Sequence, residues 1–132
     1  EAHEVDESLF YSITTGGGTM ISSALKLAGE IIEKDYPPAD YNIYVFVFSD
    51  GENWGTDNNV CGELLDILLP TLNLFCYGEI IGSGSGLFGG AWMRDSAFLP
   101  MLEAKKNDHV IATQIKNDTI FDAIKVFLGK GA

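Results

Sequence analysis

Two short runs in this chain hold the residue types that could do chemistry. Thr15-Gly16-Gly17-Gly18-Thr19 opens a helix, and Ser49-Asp50-Gly51-Glu52-Asn53 closes an apolar strand further along. In an open α/β sheet both runs belong at the rim, outside the carboxyl ends of the strands, where ligands bind. A threonine hydroxyl and an aspartate carboxylate converging there offer hard oxygen donors, and the glycines let backbone come close. That donor set suits magnesium or manganese. Thr19 and Asp50 are therefore the candidate metal ligands. Each also has a plainer reading, Thr19 as a helix N-cap and Asp50 as a turn residue before Gly51.

Other chemistries find less in the sequence. The glycine run could form a phosphate nest at a helix N-terminus, which would suit a metal-dependent hydrolase acting on a phosphorylated substrate. It lacks the Gly-Lys-Ser/Thr ending of a P-loop and the spacing of a dinucleotide fingerprint, and no general base is evident near Asp50. Glu52, Asn53, Asp57 and Asn58 enrich the second loop in oxygen but not at EF-hand spacing, so they read as turn and cap residues. Trp54 is either a partner contact or packing over the neighbouring helix. His3 and His109 are tied by spacing to no serine or cysteine. The Gly82–Gly86 stretch carries Gly84 where a nucleophile elbow needs serine. No catalytic residue is assigned.

The elements that must position Thr19 and Asp50 are legible from periodicity. Val5–Ile13 predicts a short strand. From Met20 to about Asp35, apolar residues recur at helical spacing (Ile21, Leu25, Ala28, Ile32), and Pro37-Pro38 ends the helix. Ile43–Phe48 is continuously apolar and aromatic, as in a strand buried on both faces of a parallel sheet. Asp57 or Asn58 can cap a helix running to about Leu69, and Leu72–Ile81 predicts the next strand. Gly82–Gly90 reads as a flexible loop or lid. Ala91–Ala104 is weakly helical around Trp92, with Pro100 expected to break or kink it. His109–Ile115 predicts a strand and Thr119–Leu128 an amphipathic helix. The alternation of strand and helix points to a doubly wound, mostly parallel α/β sheet, Rossmann-like, with flanking helices.

Composition narrows the function classes. The chain has 132 residues, enough for one domain, and a net charge of −11 from 19 acidic and 8 basic residues. Such a surface repels a phosphate backbone, so nucleic acid is not an expected partner; a cation or a basic protein is. No apolar run approaches the roughly 20 residues of a membrane helix, and the first residues have neither the basic start nor the apolar centre of a signal peptide. Cys61 and Cys76 lie in apolar stretches and read as reduced core residues of a cytoplasmic protein.

The runs Glu4-Val5-Asp6-Glu7, Phe10-Tyr11-Ser12, Gly17-Gly18-Thr19 and Ser22–Leu27 resemble the bacterial YeaH/YhbH family. The likeness continues through Tyr36-Pro37-Pro38, Tyr41–Tyr44, Ser49–Trp54, Asp57-Asn58, Cys61 and Tyr77–Ile80, covers residues 1–81, and thins beyond Gly82. That family is similar to the von Willebrand factor A domain, whose metal-ion-dependent adhesion site is built from an Asp-x-Ser-x-Ser run, a threonine, and an aspartate after a central strand. The resemblance implies that Thr19 is the second element and Asp50 the third. The first has no counterpart here, so residues 1–132 are expected to be a partial von Willebrand factor A-like domain, truncated at the N-terminus, that binds metal weakly. The strand missing on this reading would lie beside Ile43–Phe48. An open apolar edge should then remain, favouring self-association, element exchange, or residence in a larger protein. The implied function is a non-enzymatic, metal-assisted protein-interaction domain of bacterial stress or sporulation physiology. Its implied partners are a serine protein kinase or a SpoVR-like protein.

Overall fold

A computed structural model describes residues 2–12, 20–51, 53, 55–81, 98–105 and 108–129. The first element departs from expectation. Val5–Ile13 does not supply a strand; Glu7–Ser12 is a short helix, α1. Asp6 decides this by accepting the Leu9 N–H on Oδ1 at 2.8 Å and the Phe10 N–H on its carbonyl at 2.9 Å. A local cap of this kind favours a helical turn. Apolar Leu9, Phe10 and Tyr11 remain exposed.

Helix α2 (Ile21–Asp35) follows the predicted periodicity, burying Ile21, Leu25 and Ile32, and ends before Pro37. Its N-cap position belongs to Met20, whose side chain makes no capping bond, and not to Thr19. Thr19 lies outside the described residues. Then come β1 (Tyr44–Ser49), α3 (Asp57–Leu68), a 3-10 turn at Leu69–Thr71, and β2 (Leu74–Ile80). The expected α3 cap also moves: Thr56 occupies the N-cap position and Asp57 is the first helical residue. Helix α4 (Phe98–Ala104) accommodates Pro100 because it falls in the first turn, where backbone N–H groups have no intrahelical acceptor to lose. Trp92 and the Gly82–Gly90 loop lie outside the described residues. Strand β3 (Val110–Ile115) and helix α5 (Ile120–Gly129) complete the order.

The three strands are parallel in the order β1-β2-β3, with Ser49 opposite Glu79 and Glu79 opposite Gln114. One face of the sheet, through Phe75 and Tyr77, packs on α2, α3 and α4 in a core that includes Leu25, Leu65, Phe98 and Leu102. The other face buries Leu74, Cys76, Ile111 and Ile115 under Ala123 and Phe127 of α5. Helices on both faces of a parallel sheet make this an α/β fold of the Rossmann-like kind. Cys61 and Cys76 are buried free thiols, as expected. Among the described residues no helix is long and apolar enough to cross a membrane.

Strand β1 is not buried on both faces. It lies at the edge of the described sheet, and Tyr44, Phe46 and Phe48 are exposed. Among the aromatic pairs that the described residues form, Phe127 reaches this row, with ring centroids 6.2 Å from Phe46 and 6.4 Å from Phe48. Phe48 lies flat enough to need Gly78 beneath it, because a Cβ there would stand 2.9 Å from its ring and 2.5 Å from Ile115 Cδ1. Helix α5 likewise carries more apolar surface than the sheet covers. Phe121, Ile124, Val126 and Leu128 are exposed.

Two substitutions separate core from surface on this helix. Phe127→Ala should cost about 3 kcal/mol in urea or thermal unfolding, as for a buried aromatic. Phe121→Ser, at a position 79% exposed, should stay within about 0.5 kcal/mol of the native protein.

Candidate functional site

Parallel register brings the carboxyl ends of the strands together at one rim, where Asp50 follows β1 directly. The amino end of α2 reaches the same rim. Met20, Ile21, Ser49, Asp50 and Ile80 line one cleft of about 410 Å³. Of the two predicted ligands, Asp50 is therefore at the rim, and Thr19 is outside the described residues although its neighbour Met20 lines the cleft. Among the described residues no group of three or more His, Cys, Asp or Glu side chains could hold a metal. His109 is elsewhere: its Nδ1 lies 2.9 Å from the Asn73 carbonyl, at the amino end of the sheet.

The rim is held by a buried polar cluster that ties α2 to α3. The first N–H groups of α2 find no acceptor in their own cap residue. Asn53 Oδ1 accepts from Ile21 N at 3.4 Å and Asp57 Oδ2 from Ser22 N at 3.0 Å, while the Ser22 hydroxyl donates to Asp57 Oδ1. The Cys61 thiol donates to Asp57 Oδ2 at 3.3 Å, and Asn53 Nδ2 donates to Asn58 Oδ1 at 2.7 Å. An anion at the positive end of α2 is well placed electrostatically. Burial opposes ionisation of Asp57, but the Ser22 hydroxyl and N–H, then Cys61 and Asn53, outweigh it and hold the carboxyl below its ordinary value. Burial, with the Asp57 hydrogen bond and charge behind it, pushes the Cys61 thiol up to about 12, so it serves as a donor and not a nucleophile.

A second carboxylate stands inside the rim. Glu79 is 5% exposed, at the carboxyl end of the central strand, and its Oε1 accepts from Gln114 Nε2 at 3.2 Å. Its other oxygen lies under Gly51. A Cβ on Gly51 would meet Glu79 Oε2 at 3.0 Å, and the Gly51 φ of 83° falls in the left-handed region, so the turn after Asp50 requires glycine on both counts. Gly51 N donates to Ser49 Oγ at 3.2 Å. Sequence reasoning passed over Glu79, although an acid inside the apolar run Leu72–Ile81 is a signal in itself. The Asp57–Ser22 link had no such signal, since it joins residues 35 apart in the chain.

The depressed Asp57 carboxyl fixes the direction of a pH effect. Its contribution is complete above the unfolded value near 4 and is lost as pH falls through the lower folded value. Asp57→Asn should cost about 2 kcal/mol at neutral pH, the scale of a hydrogen bond to a buried charge. In urea unfolding at several pH values, the gap between native and variant should close below about pH 4.

Comparison with known proteins places the chain. A family described as "Protein of unknown function (DUF444)" matches residues 1–131. A UPF0229 protein of Psychromonas ingrahamii is 45% identical over 100 residues, which cover 75% of this chain and 24% of that relative. One from Bacillus velezensis is 36% identical over 128 residues, 96% of this chain and 30% of the relative. One from Serratia proteamaculans is 48% identical over 81 residues, 61% of this chain and 19% of the relative. The chain thus spans between a fifth and a third of the length of these curated relatives. No solved structure matches it. YeaH/YhbH is another name for the same family. The chain belongs to the DUF444/UPF0229 family.

Proposed function

We propose that this chain is a non-enzymatic protein-interaction domain whose rim engages a partner with the help of a divalent cation held through Thr19 and Asp50. The supporting observation is the shared cleft, where Met20 at the head of α2 and Asp50 at the end of β1 face each other. Oxygen donors at such a rim fit magnesium or manganese, and an open coordination position would accept an acidic side chain of the partner. A serine protein kinase or a SpoVR-like protein is the partner implied by the family resemblance. The finer fold proposed is the von Willebrand factor A arrangement, in which a further strand lies along the free edge of β1. A thermal melt tests the cation. Millimolar magnesium or manganese should raise the midpoint by several degrees if it reaches about 100 times its dissociation constant, equivalent to about 2.7 kcal/mol. Asp50→Ala should abolish the shift; an equal shift in that variant would sink the reading.

The uncovered edge supplies a second expectation. An unpaired strand edge beside an exposed aromatic row is a template for another chain, so the isolated 132 residues should self-associate. Light scattering should show a mass that rises with concentration, and Phe46→Lys should suppress the rise. A constant monomer mass for the native chain at high concentration would contradict this.

A further inference from the structure

Beneath the Asp50 loop lies an arrangement that the Thr19–Asp50 pair does not use. Glu79 sits on the same face of β2 as Tyr77, two residues before it, and opposite Ser49 of β1. Tyr77 is fully buried, and its hydroxyl has no hydrogen-bond partner. Ser49 and Glu79 are near enough to perturb the phenol, yet neither meets the geometry of a hydrogen bond. Burial first, and then the Glu79 and Asp50 charges, push the phenol up to about 12, which puts both carboxylates within electrostatic reach of that hydroxyl. A buried hydroxyl without a partner is costly, and native structures retain few of them without a purpose.

We propose that Glu79 is an inner carboxylate of the rim cation site, acting with Asp50, and that the Tyr77 hydroxyl is reserved for a water carried by the cation. The inference rests on the cation reading of the rim and adds two residues to it. Magnesium and manganese keep several waters when bound by one or two carboxylates, so such a site needs polar groups that receive water as well as groups that touch metal. Glu79 Oε1 is oriented by Gln114, as a ligating carboxylate usually is by a neighbour, and Oε2 faces the Gly51 turn next to Asp50. Were Glu79 only a prop for the loop, its removal would disturb stability and leave cation affinity in the folded protein untouched.

Manganese titration separates the possibilities, with free Mn²⁺ read by electron paramagnetic resonance and folding checked by circular dichroism. The native chain, Asp50→Ala, Glu79→Gln and Tyr77→Phe are compared. The expected result is saturable binding to the native chain that each of the three substitutions weakens by about tenfold or more. Tyr77→Phe should leave the cation-free midpoint unchanged or raise it, because the hydroxyl it removes has no partner. Binding that is lost in Asp50→Ala but native in Glu79→Gln and Tyr77→Phe would overturn this inference and leave the cation reading standing. Absence of saturable binding to the native chain would overturn both. Should Glu79→Gln not fold, Tyr77→Phe decides alone, and native affinity in it would overturn the inference.

Discussion

The buried carboxylate of Asp57 is the interaction on which the rim depends. It accepts the hydroxyl and the N–H of Ser22 and the thiol of Cys61, and so fastens the amino end of α2 to the first turn of α3. Hydrogen bonds to a charged group are worth about 1.5–3 kcal/mol, whereas a buried charge stripped of them costs several. The cluster is therefore stable only when both helix starts are in place. Since α3 begins seven residues after Asp50, the same link sets where the Asp50 loop stands relative to Met20. Asn53, inside that loop, completes the connection by accepting from Ile21 N.

Packing on the two sheet faces differs in a way that bears on function. The face under α2, α3 and α4 is closed, with Tyr77, Phe75 and Phe98 fully buried. On the opposite face α5 covers β2 and β3 and leaves the β1 row to the single ring of Phe127. At the rim, a net charge of −11 draws cations to the surface generally. What would make the rim selective is fixed geometry: the Gly51 turn, the Glu79 carboxylate below it, and the α2 start across the cleft.

Much of this was legible in the sequence. Helical spacing over Met20–Asp35 and the apolar runs at Ile43–Phe48 and Leu72–Ile81 gave α2, β1 and β2 within a residue or two, and alternation gave a parallel sheet. Three failures have physical causes. Val5–Ile13 became a helix because one local cap from Asp6 outweighs a weak strand pattern. The caps expected of Thr19 and Asp57 failed because long-range acceptors took over the N–H groups of α2, and spacing carries no information about contacts 30 residues apart. β1 looked doubly buried because its composition reflects a neighbour that the described sheet does not contain. Of the candidate site, Asp50 was found by its place after a strand; Glu79 was missed because it was read as part of that strand.

The most direct test of the rim as a cation site is paramagnetic broadening of backbone amide signals by substoichiometric Mn²⁺. If the account is right, Met20, Asp50, Gly51 and Ile80 broaden first, while Asn73 and His109 at the amino end of the sheet keep their intensity. Broadening spread evenly over the acidic surface, or strongest away from the rim, would contradict it.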